Sequence, residues 1–272
     1  MDINNLNRQC FDMKLKTLEM TASTGSSGAH IGGGLSAIEM MAVLYEAANL
    51  SPSYGEERDR LILSKGHGSL ALFTALWQKG LMTDEELMTF DNNGSEFFAH
   101  PHRNLQKGIE FSGGSLGLGM SYAVGVALAC KRKGLKNHVF VILGDGECNE
   151  GIVWEALMSA ANFKLDNLMV IVDKNGYQVD GATEEVMNSG SLKDKFEAFG
   201  FDTVEIEGHS LEELAENITK KCSNKPRALI ANTVKAHGVS FLENTKHAHH
   251  TGLTKNKYDQ AVKEIKQAYG VE

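Results

Sequence analysis

Two short polar stretches carry the residue types needed to hold a phosphorylated ligand and a hard metal ion. Gly144-Asp145-Gly146-Glu147 follows the apolar run His138–Leu143, and Asp173-Lys174-Asn175-Gly176-Tyr177 follows the apolar run Leu168–Val172. Asp145 and Asn175 lie 30 residues apart, the length of one strand–helix–strand unit, so both can reach the same edge of a sheet. A carboxylate and an amide carbonyl converging there would make an oxygen site of the kind that holds Mg²⁺ together with ligand phosphates. The glycines on either side of Asp145 would let a diphosphate approach the backbone closely. Three further loops place a histidine beside glycine or proline: Gly28-Ala29-His30-Ile31-Gly32, Lys65-Gly66-His67-Gly68 and Ala99-His100-Pro101. Their spacing of about 35 residues favours a shared pocket. Imidazoles there would bind hydroxyls and phosphates and move protons near neutral pH.

Helix and strand signals alternate along most of the chain and predict an α/β fold with a mostly parallel sheet and helices on both faces. The runs 138–143 and 168–172 are apolar throughout, as in strands covered on both sides. An amphipathic helix over 150–163 links them, which requires a right-handed crossover and parallel pairing. Leu61–Leu63 reads as a short strand, and Leu70–Trp77 as the helix after the His67 loop. Ser36 and Glu39 have capping-box spacing ahead of a helical face formed by Ile38, Met41, Ala42 and Tyr45, and Thr83–Glu86 begins another helix. Residues 117–131 form a helix rich in small side chains. The remainder repeats the theme: strand 202–206, a helix capped by Ser210 and Glu213, strand 227–234, and a closing helix over 255–269 with Tyr258, Ala261, Val262, Ile265 and Tyr269 on one face. Residues 1–272 read as a single domain.

The composition narrows the function classes. The 272 residues carry 27 Lys+Arg against 35 Asp+Glu, a net charge of −8, which argues against a nucleic-acid binder. With 28 Gly and 3 Pro, tight turns and close backbone approaches are expected rather than a Pro-rich linker. Cys10, Cys130, Cys148 and Cys222 include no C-x-x-C pair, which points to a reducing cytoplasm rather than a disulfide scaffold. No apolar run is long enough to span a bilayer, so no membrane partner is expected.

The Gly-Asp-Gly loop followed after about thirty residues by an Asn-bearing loop resembles the fingerprint of thiamine-diphosphate enzymes. The order and spacing of the histidine loops, the stretch Gly113-Gly114-Ser115-Leu116-Gly117-Leu118-Gly119 and the His-rich segment 247–250 resemble the first domain of transketolase over nearly the whole chain. The resemblance implies thiamine diphosphate and Mg²⁺ as cofactors, with Asp145, Asn175 and the backbone carbonyl of Tyr177 as metal ligands. It implies that His67, Gly114, Ser115, Leu116, Gly146, Glu147 and Asn175 line the cofactor. His30 and His100 would contact the sugar and assist proton transfer. His250 would reach both cofactor and substrate, with His247 and His249 competing for that place. The chain departs from the family at Ala29 and Ile31, where a Pro is common at the latter position, and at Thr251-Gly252-Leu253 in place of Gly-Ala-Pro. These changes bear on substrate preference more than on cofactor binding.

The resemblance stops at the first domain. The family's pyrimidine-binding domain, which supplies a glutamate to the cofactor ring, has no counterpart here. The expectation is therefore a split enzyme, this chain looking complete after its last helix and a C-terminal transketolase subunit completing an α2β2 assembly. It would pass a two-carbon ketol unit from a ketose phosphate to an aldose phosphate. Rival readings are an enzyme of the same organisation acting on a sulfonated or branched sugar, the α subunit of a 2-oxo-acid dehydrogenase, and a non-catalytic cofactor-binding module. Zinc at His247, His249 and His250 finds no suitable partner nearby. The glycine spacing over 114–119 does not suit a dinucleotide loop, and Cys148 reads as a small buried residue rather than a nucleophile.

Overall fold

The computed structural model describes residues 1–50, 55–220 and 224–271; Cys222 and Glu272 lie outside the described residues. Five strands, β1 (Arg60–Leu63), β2 (Val139–Gly144), β3 (Leu168–Lys174), β4 (Asp202–Glu207) and β5 (Arg227–Asn232), form one sheet. Their order is β1-β2-β3-β5-β4 and every pairing is parallel, so all five carboxyl ends point to one edge. Side chains alternate across the pleat. On β2, Val139, Val141 and Leu143 enter one apolar core, while Phe140 and Ile142 enter the other. Two buried faces explain why this strand has no polar alternation.

One core is closed by α1 (Ile3–Ser23), α2 (Ile31–Leu35), α3 (Ile38–Ala47), α4 (Ser69–Gln78) and α5 (Asp84–Leu87), with later help from the chain's end. The other is closed by α6 (Leu118–Arg132), α7 (Gly151–Asn162) and, beyond the short α8 (Thr183–Met187), α9 (Leu192–Ala198). The closing helices α10 (Leu211–Thr219) and α11 (Lys255–Ala268) return to the first core. Helices therefore cover both faces, as expected. Among the described residues no helix is long and apolar enough to cross a membrane.

Several predicted ends are found in place. Thr83 and Glu86 form a reciprocal capping box, and Ser210 accepts from the Glu213 amide. The Ser36–Glu39 box does not form. Ser36 Oγ instead donates to the Asp173 carboxylate at 2.6 Å, and Glu39 pairs with Lys14 at 2.7 Å. Buried charges at long range win these side chains from a local cap. α3 is correspondingly buried all round, from Ile38 to Tyr45, rather than amphipathic. β5 ends at Asn232, two residues short of the predicted strand. Beyond it, Thr233 Oγ1 donates to Asp173 and the Val234 amide donates to His209 Nε2 at 2.9 Å, which takes the backbone off the ladder.

Candidate active site

The sheet register brings the two polar stretches together. Gly144 is paired with Asp173 and Lys174 with Asn232, so the loops after β2, β3 and β5 emerge side by side. Asp145 is buried, and its Oδ2 accepts from the Gly176 amide at 3.0 Å and Thr183 Oγ1 at 2.9 Å. Asn175 Oδ1 accepts from the Tyr177 amide at 3.2 Å, and its Nδ2 donates to Asp173 Oδ2 at 3.2 Å. Burial, and then the neighbouring Asp173 charge, push the Asp145 carboxyl above the usual carboxylate range. A buried carboxylate raised in this way, beside an amide and backbone carbonyls, fits an oxygen-ligated cation as the missing compensation.

Asp173 organises the floor of the site. It is fully buried and accepts from the Lys65 ammonium, Ser36 Oγ, Thr233 Oγ1 and Asn175 Nδ2. Burial opposes its ionisation, but Lys65 holds it below the ordinary range. The opposite wall is backbone. A Cβ at Gly113 would stand 2.9 Å from the Gly66 Cα, so the His67 loop and the Gly114–Leu116 loop are pressed together. Gly114 has φ +135°, and a Cβ built on it would meet nothing within 4 Å. That open backbone, with no side chain of its own, would let a diphosphate approach closely. Glu147 is buried with both carboxylate oxygens engaged, Oε1 by Ser64 Oγ and the Gly117 amide, and Oε2 by the Gly144 amide. The structure thus places the Glu147 side chain as a tie between the loops rather than as an open ligand.

The histidines from the separate loops meet. The ring of His30, at the start of α2, lies 5.8 Å from His67, 5.3 Å from His100, 5.2 Å from His249 and 4.6 Å from His250 between centroids. His249 also lies 5.4 Å from His67, and its Nδ1 is 3.3 Å from Lys235 Nζ. His247 is exposed. Burial and then the neighbouring imidazoles lower His30 to about 3 and, with Lys235 ahead of its neighbours, His249 to about 4; His67 and His100 are lowered too. Near neutral pH these four rings are uncharged, each offering one donor and one acceptor. His30 Nδ1 is buried with no partner of its own, which leaves it for a hydroxyl brought by a ligand. Lys235 is nearly fully buried, its Nζ donating to the carbonyls of Tyr177 at 3.4 Å and Gln178 at 3.1 Å. Burial, then Lys65, lowers it to about 8.

Residues 8–272 match the family model described as transketolase, thiamine diphosphate binding domain. The chain belongs to the transketolase family. It is 38% identical over 268 residues to the 6-deoxy-6-sulfo-D-fructose transketolase subunit SqwG of Clostridium sp. (strain MSTE9), covering 97% of each. It is 36% identical over 270 residues to an apulose-4-phosphate transketolase subunit of Phocaeicola vulgatus, with 94% of this chain and 96% of that one covered. The crystal structure of Campylobacter jejuni transketolase superposes with a TM-score of 0.88 at 30% identity, over 100% of this chain but only 44% of the other. This is an N-terminal-type transketolase subunit with the thiamine-diphosphate-binding fold.

Within that subunit the predicted residues are distributed unequally. Asp145, Asn175 and Tyr177 share one corner, and His30, His67, His100 and His250 share another. Sequence reasoning missed Lys65, Lys235 and Asp173 and left His249 as a competitor only. Lys65 in the His67 loop and Lys235 shortly after an apolar strand were the available signals. Their burial, which makes them notable, is visible only in the fold. Cys148 is buried, and burial raises its thiol far above the ordinary range, so it is no nucleophile. The zinc alternative at 247–250 finds no support, since among the described residues the one cluster with metal-ligand geometry is Glu39, His209 and His237.

Proposed function

We propose that this chain is the diphosphate- and metal-binding subunit of a two-chain transketolase that moves a two-carbon ketol unit from a ketose phosphate to an aldose phosphate. The carrying observation is that Lys235 joins an oxygen-rich corner, Asp145, Asn175 and the Tyr177 carbonyl, to the loop histidines, its Nζ donating to the Tyr177 carbonyl and lying 3.3 Å from His249 Nδ1. Asp145, Asn175 and the Tyr177 carbonyl would hold Mg²⁺, and Gly114, Ser115, Leu116, Gly146, His67 and Lys235 would line the thiamine diphosphate. Thiamine diphosphate, when bound, supplies the nucleophilic carbon that cleaves the ketose C2–C3 bond and carries the two-carbon unit. His30, His100, His249 and His250 orient sugar hydroxyls and accept or donate a proton at an imidazole nitrogen.

The subunit relatives match this chain almost end to end, whereas it spans 44% of the Campylobacter transketolase. Both facts support a separate partner chain that brings the pyrimidine-binding domain; an α2β2 assembly in the cytoplasm is the arrangement we propose for the pair. The relatives named for a sulfonated fructose and for apulose phosphate favour an unusual sugar as substrate over a common pentose phosphate. The metal assignment is tested by Asp145→Ala in the assembled enzyme: Mg²⁺-dependent affinity for thiamine diphosphate should fall by at least about tenfold. Unchanged affinity would refute it.

A further inference from the structure

Beside the site, α1, α3, α11 and the loops after β4 and β5 enclose a cavity of about 260 Å³ lined by Lys14, Glu39, His209, His237 and Tyr269. Glu39, His209 and His237 bring three potential ligand atoms within 4.8 Å of one another. Two contacts make this a poor cation site. Lys14 Nζ already lies 2.7 Å from Glu39 Oε1. His209 Nε2 accepts the Val234 amide at 2.9 Å, which places the ring proton on Nδ1, facing Glu39 Oε2 at 3.0 Å. Both His209 nitrogens are therefore committed to protein partners.

The same contacts form a chain of a different use. Val234 immediately precedes Lys235, in a segment that has left the β5 ladder. That segment is held by the Thr233 amide to the Lys174 carbonyl at 3.1 Å, Thr233 Oγ1 to Asp173, the Ala236 amide to the Gly32 carbonyl at 3.1 Å and the Asn244 amide to the Lys235 carbonyl at 3.2 Å, and the Val234 amide is held by His209 alone. Ala236 adopts φ +61°, a backbone state an alanine takes only when its surroundings fix it. From this braced backbone the Lys235 side chain passes over α2, where a Cβ at Gly32 would stand 3.0 Å from its Cγ. It then reaches the Tyr177 and Gln178 carbonyls. His237 stacks on His209 with centroids 3.7 Å apart and planes at 22°, fixing the ring from its open side.

We infer that His209, oriented by the buried Lys14–Glu39 pair, is a positioning residue that sets the Lys235 ammonium against the cofactor's diphosphate. The inference rests on the proposed function, in which Lys235 serves the diphosphate. A hydrogen bond that fixes the residue next to a ligand-facing side chain acts through geometry, as outer-shell partners of metal ligands do.

The test uses the assembled enzyme with His209→Ala, His209→Gln, Lys235→Met and the His209→Ala/Lys235→Met double variant. Two quantities are read: thiamine diphosphate affinity in Mg²⁺, and hydrogen exchange of the peptide spanning 232–236. His209→Ala should weaken cofactor binding about tenfold, with kcat at saturating cofactor little changed and protection of that peptide lost. His209→Gln, whose amide can accept from Val234 and donate to Glu39, should restore most of both. Lys235→Met alone should weaken binding, and adding His209→Ala to it should cost nothing further. Weaker binding in Lys235→Met with unchanged affinity in His209→Ala overturns the inference alone, as does an additive double variant. Unchanged affinity in Lys235→Met removes the reading on which it rests. Stoichiometric zinc in the purified enzyme, lost in His237→Ala, would also overturn it by making the cluster a metal site.

Discussion

His30 shows most clearly how burial and chemistry are linked at the scale of a residue. Its Nδ1 is buried without a partner, and its ring is surrounded by four other imidazoles. An unsatisfied buried polar atom costs about 1–3 kcal/mol, a cost a sugar hydroxyl would relieve. His30→Ala should therefore lower turnover by about 10²-fold or more while thiamine diphosphate affinity changes little. Steady-state kinetics at saturating cofactor, beside a cofactor titration, check this; the reverse pattern would move His30 from the sugar to the cofactor. The pattern of loop histidines was legible because each sits beside a glycine or proline in a short polar stretch. Lys65 and Asp173 stand at the first position of two of the short polar stretches, but their pairing across 108 positions is visible only in the fold.

Elements were legible where one force dominates. The continuous apolar runs of β2 and β3 can only be strands covered on both faces, and the Thr83 and Ser210 caps mark their helices. α1 escaped notice because its buried side includes Gln9, Lys14 and Thr17 among the apolar residues, which blurs the helical period. Lys14 is buried there for its pairing with Glu39 of α3. Lys14→Met would strand the Glu39 carboxylate between the helices and should destabilise the chain by roughly 3–5 kcal/mol. Denaturant unfolding reads this directly, and a loss below about 1 kcal/mol would show that the pair contributes no more than a surface bridge. A second element-level prediction concerns the start of α6. Gly117 has φ +80°, and a Cβ there would stand 2.5 Å from Ile152 Cγ2. Gly117→Ala should cost about 1–3 kcal/mol and, by displacing the amide that holds Glu147, weaken cofactor binding as well. Unaltered stability and affinity would show that the loop re-forms without strain.

Across the whole molecule the buried histidines set the response to acid. His30 is lowered to about 3 and His237 and His249 to about 4, from an ordinary value of 6.5, and burial is the leading cause in each. The unfolded chain therefore binds more protons than the folded one between about pH 6.5 and 4, so stability falls as pH falls through that window. Glu39, held down to about 2 by Lys14 and His209 against its burial, extends the loss from about 4.5 toward 2. The Tm of the unliganded chain should decline steadily from pH 7 to 4.5, and His249→Gln should flatten the slope. A flat or rising Tm would contradict the neutral, buried state of the cluster.

The central claim is that this chain holds the diphosphate and metal but cannot transfer a ketol unit without a partner. The most direct measurement is two-carbon transfer to an aldose phosphate from a set of ketose donors, phosphorylated and sulfonated, with thiamine diphosphate and Mg²⁺. It is run on the purified chain alone and on the chain reconstituted with the polypeptide that co-purifies with it near one-to-one in its native cells. No transfer by the chain alone, and metal-dependent transfer by the pair, is the predicted result. Robust transfer by the chain alone would contradict the split organisation, and 2-oxo-acid decarboxylation by the pair in place of ketol transfer would contradict the reaction.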